Sequence, residues 1–185
     1  VDVSIAFDIG DYKRMNELSS VIKENDIYSV VIDHHPYEAD FFDLVLVDTN
    51  IASTGLMVWL YLEHRNFSNY SQTSLDALYS ALITDTGSFR FNSTNSDCHE
   101  MAAFLLKKGV KPYNVYEKIY ERRSLFQINL LSESIKNLKF NFDKQVCGVI
   151  ISKEIQKTAG ANYEHVEGFT DFFRSIEGVQ IAYCI

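Results

Sequence analysis

Along the first two thirds of the chain, short apolar runs alternate with stretches in which apolar and polar residues are mixed. Short apolar runs over Val1–Phe7, Ser29–Ile32 and Leu44–Val47 predict three β-strands. Each run is followed by an aspartate: Asp8, Asp33 and Asp48. Between and after these runs, apolar side chains recur every three or four residues, which predicts helices. Strands that alternate with helices predict an α/β domain with a mostly parallel sheet layered with helices.

Capping signals mark the ends of the predicted helices. Ser53 and Ser71 each precede a helical pattern and can accept a hydrogen bond from its first turn. Ser96 or Asp97 is expected to cap a further helix, which Gly109 ends. In a parallel sheet, ligands bind beyond the carboxyl ends of the strands, so the aspartates there are candidate site residues.

The pattern changes after Pro112. A nearly uninterrupted helical stretch continues to about Lys139, and a strand over Val146–Ile151, a short helix and an apolar tail follow it. Because the chain starts and stops inside strand-like runs, we expect it to be an internal piece of a larger protein. The predicted parts are an α/β domain over 1–111, a long helical connector over 112–139, and the start of a smaller α/β carboxyl-terminal domain over 140–185.

Composition narrows the class of protein. A chain of 185 residues with 46% hydrophobic residues can bury a core, and its apolar runs are shorter than the roughly 20 residues of a membrane span. The three cysteines are far apart, which argues against a disulfide framework and favours the cytoplasm. A net charge of −8 disfavours a long nucleic acid held through its phosphates, but a small anionic substrate held by metal ions remains compatible.

The tripeptide Asp33-His34-His35 directly follows an apolar strand and is stopped by Pro36. Two adjacent histidines at a strand end point in different directions, so one can bind a metal ion while the other reaches a substrate. Asp33 can orient one imidazole, as carboxylates commonly do for metal-bound histidines. Taken alone, a pair of histidines is usually an ordinary loop feature, so the assignment depends on the surrounding sequence.

That context is a resemblance to a known family. The tripeptide lies between Asp8, in the segment 7–11, and Asp85, in the segment 84–91, and these spacings resemble the second, third and fourth motifs of the DHH phosphoesterases. The resemblance continues through 53–55 and 160–179, so it covers essentially the whole chain. Within the family, the chain most resembles the branch of NrnA-like oligoribonucleases and pAp phosphatases.

The resemblance implies a centre of two metal ions, typically Mn²⁺ with Mg²⁺ as the alternative. Asp8 would bridge both ions, and His34 and Asp85 would complete one of them. Carboxylates with one imidazole suit these ions better than zinc, and two ions can activate water without a protein nucleophile. By the same resemblance, His35 would contact the scissile phosphate and Asp33 would hold the histidine geometry, so both are expected to act in catalysis.

Arg90, in the fourth motif, is a candidate substrate-binding residue, although an arginine at such a position is more often solvated. The family's first motif, with further metal ligands, is expected before Val1. Its glycine-rich segment with a histidine, which grips the far end of the substrate, is expected beyond Ile185. The chain alone is therefore expected to be nearly inactive.

The resemblance implies an enzyme that hydrolyses phosphate bonds of very short oligonucleotides, with 3′-phosphoadenosine 5′-phosphate (pAp) as a further candidate substrate. The alternatives are a RecJ-like single-strand exonuclease, an inorganic pyrophosphatase or polyphosphatase, and a non-catalytic nucleotide-binding regulatory module. The sequence leaves the oligomeric state open, a homodimer included.

Overall fold

A computed structural model describes residues 1–37 and 40–185 of the chain. The chain forms two compact units, Val1–Ile119 and Tyr120–Ile185. Each unit has its own three-stranded sheet with helices, so the predicted α/β class is confirmed. Among the described residues, none of the helices combines the length and the apolar character needed to cross a bilayer.

The sheet of the first unit is parallel throughout. Its strands are β1 (Val3–Phe7), β2 (Tyr28–Asp33) and β3 (Leu44–Val47), in the order β1-β2-β3. The ladder continues past the strand ends, where the amide of Asp8 donates to the carbonyl of Ile32 at 3.1 Å and the amide of Asp48 donates to that of Asp33 at 3.1 Å. All three predicted strands are present, and their terminal aspartates lie at one edge of the sheet.

In the described residues, the first part of the chain contains five α-helices. They are α1 (Glu17–Glu24), α2 (Thr54–His64), α3 (Gln72–Asp85), α4 (Ser96–Lys107) and α5 (Pro112–Tyr120), and a 3₁₀ helix over Tyr12–Met15 precedes α1. Ser53 and Ser71 cap α2 and α3 as predicted. The cap predicted for α4 is wrong, because the side chain of Asn95, on extended backbone, accepts the hydrogen bond from Cys98 N.

The stretch over 112–139 is not one helix. After α5, residues 121–124 are non-helical, and Ser124 starts a new helix, α6 (Leu125–Lys136), by accepting a hydrogen bond from Gln127 N at 3.2 Å. Ser124 has extended backbone, which is typical of an N-cap. The expected near-continuous helix is therefore wrong, whereas the role of 112–139 as a connector between functional domains stays a prediction.

The second unit packs α6 and two shorter helices on a mixed sheet. Its further elements are β4 (Lys139–Asn141), β5 (Val146–Val149), α7 (Lys153–Ala159), a 3₁₀ helix over Tyr163–Val166, α8 (Phe169–Arg174) and β6 (Ile181–Cys184). β5 is central and pairs antiparallel with β4 and parallel with β6. Leu130, Cys147 and Phe173 are fully buried in the core of this unit.

Candidate metal centre

Four side chains from two neighbouring strand ends form a cluster at the carboxyl edge of the first sheet. Asp8, Asp33, His34 and His35 each offer one potential ligand atom, and these atoms lie within 4.8 Å of one another. Asp8 follows β1, and the other three residues end or follow β2. Because β1 and β2 pair in parallel, with Phe7 opposite Ile32, the two strand ends are neighbours although they are distant in sequence.

His34 faces two carboxylates with one of its ring nitrogens. Its Nε2 atom lies 3.6 Å from Asp8 Oδ1 and 3.7 Å from Asp85 Oδ2. The other nitrogen, Nδ1, lies 3.3 Å from the carbonyl oxygen of Ile51. A carbonyl oxygen can only accept, so this contact favours the tautomer with hydrogen on Nδ1 and a lone pair on Nε2. The structure thus brings together Asp8, His34 and Asp85, the three predicted metal ligands.

Asp33 holds His35 rather than His34. Its Oδ1 atom accepts hydrogen bonds from the backbone nitrogen of His35 at 2.9 Å and from the ring Nδ1 at 2.8 Å. Asp33 is fully buried, whereas the His35 side chain is half-exposed. This pair fixes the ring through Nδ1 and leaves Nε2 of His35 as the atom that a ligand can use.

Asp85 is the last residue of α3, and its surroundings disfavour its negative charge. Burial raises the pKa of the Asp85 carboxyl, and the nearby Asp8 carboxylate raises it further, although His34, His35 and the hydrogen bond from Thr84 oppose this. A divalent cation between the two carboxylates would stabilise both ionised forms. The electrostatics of the cluster therefore favour a bound cation.

The donor atoms of this cluster fit Mn²⁺ or Mg²⁺. In the described part of the chain, four buried side-chain nitrogen or oxygen atoms have no hydrogen-bond partner, and two of them, Asp33 Oδ2 and His34 Nε2, belong to this cluster. Such orphaned atoms are costly unless a ligand satisfies them. Carboxylate oxygens with an imidazole nitrogen form a donor set that these ions accept.

Thr54 and Gly10 are site residues that the sequence reasoning missed. The Thr54 hydroxyl donates to Asp8 Oδ1 at 2.9 Å. A Cβ atom on Gly10 would lie 3.1 Å from His35 Cβ and 3.7 Å from Asp33 Oδ2, so the missing side chain gives His35 its space. Both residues lie in segments that resemble the DHH phosphoesterases, and this resemblance was the sequence signal that could have pointed to them.

Arg90 lies in a tightly wound loop after α3. Residues 87–89 all have left-handed backbone, with φ of +54°, +58° and +67°. Arg90 Nε donates to the Gly87 carbonyl at 2.7 Å, and its guanidinium lies 5.8 Å from the centre of the Phe91 ring. The contact of Arg90 with phosphate stays a prediction.

A cavity of about 620 Å³ borders the cluster within the first unit, with Asp8, Thr54 and Asp85 in its wall. Most of the remaining wall is apolar and includes Phe7 and Leu62. Such walls offer few hydrogen-bond donors for phosphate oxygens, so the cavity alone does not indicate a nucleotide site.

The curated proteins that are similar to the chain in sequence include two that are described as the bifunctional oligoribonuclease and PAP phosphatase NrnA. The protein of Thermus thermophilus is 27% identical over 151 residues, which are 82% of this chain and 44% of that protein. The protein of Bacillus subtilis is 24% identical over 151 residues, 80% of this chain and 48% of that protein. The chain thus spans about half the length of the curated relatives it matches, and no family model matches it.

The solved structures that share the fold include the following two. An exopolyphosphatase-related protein of Bacteroides fragilis superposes with a TM-score of 0.89 and 28% identity, over 97% of this chain and 53% of that protein. A putative family II inorganic pyrophosphatase of Methanococcus jannaschii superposes with a TM-score of 0.52 and 17% identity, over 98% of this chain and 62% of that chain. This second likeness concerns the fold alone. Together, these sequence relatives and this shared fold confirm that the chain resembles the DHH phosphoesterases.

Proposed function

We propose that the protein carrying this chain is a metal-dependent phosphoesterase that hydrolyses phosphate bonds in very short oligonucleotides, with pAp as a further substrate. One observation carries the proposal most directly: the buried Nε2 atom of His34 has no hydrogen-bond partner and faces the carboxylates of Asp8 and Asp85. Both activities are named in the descriptions of the two NrnA relatives.

Asp8, His34 and Asp85 would hold the metal, with Mn²⁺ as the expected ion. When bound, divalent ions supply positive charge that lowers the pKa of water and stabilises charge on phosphate oxygens. His34 is prepared for this role because the contact of Nδ1 with the Ile51 carbonyl favours a lone pair on Nε2.

Asp33 and His35 would act on the phosphate side. The buried carboxylate of Asp33 holds the Nδ1 edge of the His35 ring, which prevents the ring from turning. The half-exposed ring then offers Nε2 to a phosphate oxygen, as a hydrogen-bond partner that is oriented before the substrate arrives. In this division of roles, His34 serves the metal and His35 serves the substrate.

The substrate class follows from charge as well as from the relatives. With a net charge of −8, the chain offers little general attraction to a long polyanion, whose binding depends on many phosphate contacts. A short substrate needs only a few contacts, which the cluster and bound cations can supply.

Phosphoanhydride hydrolysis is the second candidate function, because the chain shares its fold at a TM-score of 0.89 with an exopolyphosphatase-related protein.

The test is to assay the full-length protein, as it is encoded, with Mn²⁺ on a dinucleotide, pAp, a long single strand, pyrophosphate and polyphosphate. The proposal expects kcat/KM to be highest for the dinucleotide or pAp and activity to be lost with a chelator. A preference for pyrophosphate or polyphosphate would favour the second candidate. Comparable rates on a long strand would favour an exonuclease, and metal binding without hydrolysis would favour a regulatory module.

A further inference from the structure

A buried hydroxyl group contacts the carboxylate on which the proposed metal centre depends. Thr54 Oγ1 donates to Asp8 Oδ1 at 2.9 Å. Asp8 Oδ1 also lies 3.6 Å from His34 Nε2 and 3.7 Å from His35 Nδ1. Both imidazole rings therefore approach the carboxylate oxygen that Thr54 holds.

Burial does not hold the Asp8 side chain in one position. The residue has left-handed backbone, with φ of +60°, and its side chain is about half-exposed. An exposed carboxylate has several accessible rotamers, and ordering it costs conformational entropy. A hydrogen bond from a rigid donor limits those rotamers before a cation arrives.

Thr54 is itself rigidly placed. It is buried and is the first residue of α2, directly after Ser53, whose side chain accepts the capping hydrogen bond from Leu56 N at 3.0 Å. The following residue, Gly55, packs so closely on α3 that a Cβ atom there would lie 2.6 Å from Ala81 Cβ. The position of the hydroxyl group is therefore set by the cap of α2 and by the contact between α2 and α3.

We infer that Thr54 is a positioning residue of the metal centre, which orients Asp8 and thereby raises the affinity for the cation. The inference rests on the proposed metal-dependent function. It adds Thr54, to which the family motifs assigned no role, to the residues of the site. Hydrogen bonds to ligating carboxylates typically change metal affinity about 10-fold to 100-fold when they are removed.

The experiment compares variants of the full-length protein by calorimetric titration with Mn²⁺. Thr54→Val keeps the shape but removes the hydroxyl, Thr54→Ala removes the hydroxyl and leaves room for water, and Thr54→Ser keeps it. Thr73→Val is the matched control, because Thr73 is an exposed residue of α3. Both Thr54→Val and Thr54→Ala should weaken Mn²⁺ binding by about 10-fold or more, while Thr54→Ser and Thr73→Val stay close to the unmodified protein.

A cycle with Asp8→Asn tests whether Thr54 acts through Asp8. In the Asp8→Asn background, Thr54→Ala should cause little further loss of affinity, because the charged carboxylate that Thr54 orients toward the cation has been replaced by a neutral amide. Circular dichroism melting of each variant identifies a failure to fold, and either hydroxyl-free variant that folds is sufficient for the comparison. Unchanged Mn²⁺ affinity in a folded hydroxyl-free variant would overturn the inference about Thr54. Absence of Mn²⁺ binding by the unmodified protein would instead overturn the proposed function.

Discussion

One oxygen atom of Asp33, Oδ1, accepts hydrogen bonds from both the backbone nitrogen and the ring Nδ1 of His35, at 2.9 and 2.8 Å. This pair separates the two adjacent histidines, because His34 instead directs Nε2 toward Asp8 and Asp85. Adjacent residues with different partners can have different tasks, and this difference can be measured.

His35→Ala is expected to lower kcat while leaving Mn²⁺ binding nearly intact. The ring is half-exposed and is held by Asp33 rather than aimed at both carboxylates as His34 is. Loss of a group that interacts with the reacting phosphate should lower turnover by about 100-fold. Steady-state kinetics and calorimetric Mn²⁺ titration of the same preparation provide the check. If Mn²⁺ affinity falls as far as it does in His34→Ala, the two histidines do not have separate roles.

Asp8→Asn is expected to abolish Mn²⁺-dependent hydrolysis and to change the free energy of unfolding by no more than about 0.5 kcal/mol. Asparagine, like aspartate, tolerates the left-handed backbone found at this position, and its amide oxygen can still accept from Thr54. Asp8→Ala should lose activity as well but cost a further 1–2 kcal/mol or so, because alanine is disfavoured there. Urea unfolding of both variants, without added metal, measures the difference. Equal stability of the two would show that the backbone at this position is relaxed.

Gly55→Ala is expected to destabilise the first unit by about 1–3 kcal/mol, because the new Cβ would meet Ala81 Cβ at 2.6 Å and force α2 and α3 apart. The double variant Gly55→Ala with Ala81→Gly should recover most of this loss, since it moves the methyl group from one helix to the other. Urea unfolding of the single and double variants measures the coupling. Additive losses would mean that the two positions are not in close contact.

The pH dependence of stability should show a contribution from Tyr70. Burial, followed by the hydrogen bond to Glu63 and its charge, raises the pKa of Tyr70 from 10.0 to about 12. Because this pKa is higher in the folded state than in the unfolded state, the contribution is complete below pH 10 or so and is lost as the pH rises through about 12. Stability should therefore fall more steeply between about pH 10 and pH 12 in the unmodified protein than in Tyr70→Phe. The free energy of unfolding of both proteins can be measured with urea at each pH. If it falls equally with pH in both, Tyr70 does not make this contribution.

The pattern along the chain was sufficient to predict the first sheet and the edge where the candidate site lies. Each of its strands is an apolar run that ends at an aspartate, and parallel strands place their carboxyl ends together. The break at 121–124 was missed because helical periodicity on both sides masked it. β4 was missed because it is only three residues long, Lys139–Asn141, and none of its side chains is buried, so burial imposes no apolar pattern on it.

Motif resemblance predicted Asp8, His34 and Asp85 as metal ligands, but the contacts among side chains were decided by tertiary packing. That Asp33 holds His35 rather than His34 depends on the directions of two side chains at one strand end. That Thr54 reaches Asp8 depends on how closely α2 approaches α3 at Gly55. Periodicity and spacing record which face of an element is buried, but they do not record rotamers or distances between helices, since these result from the packing of residues that are far apart in the chain.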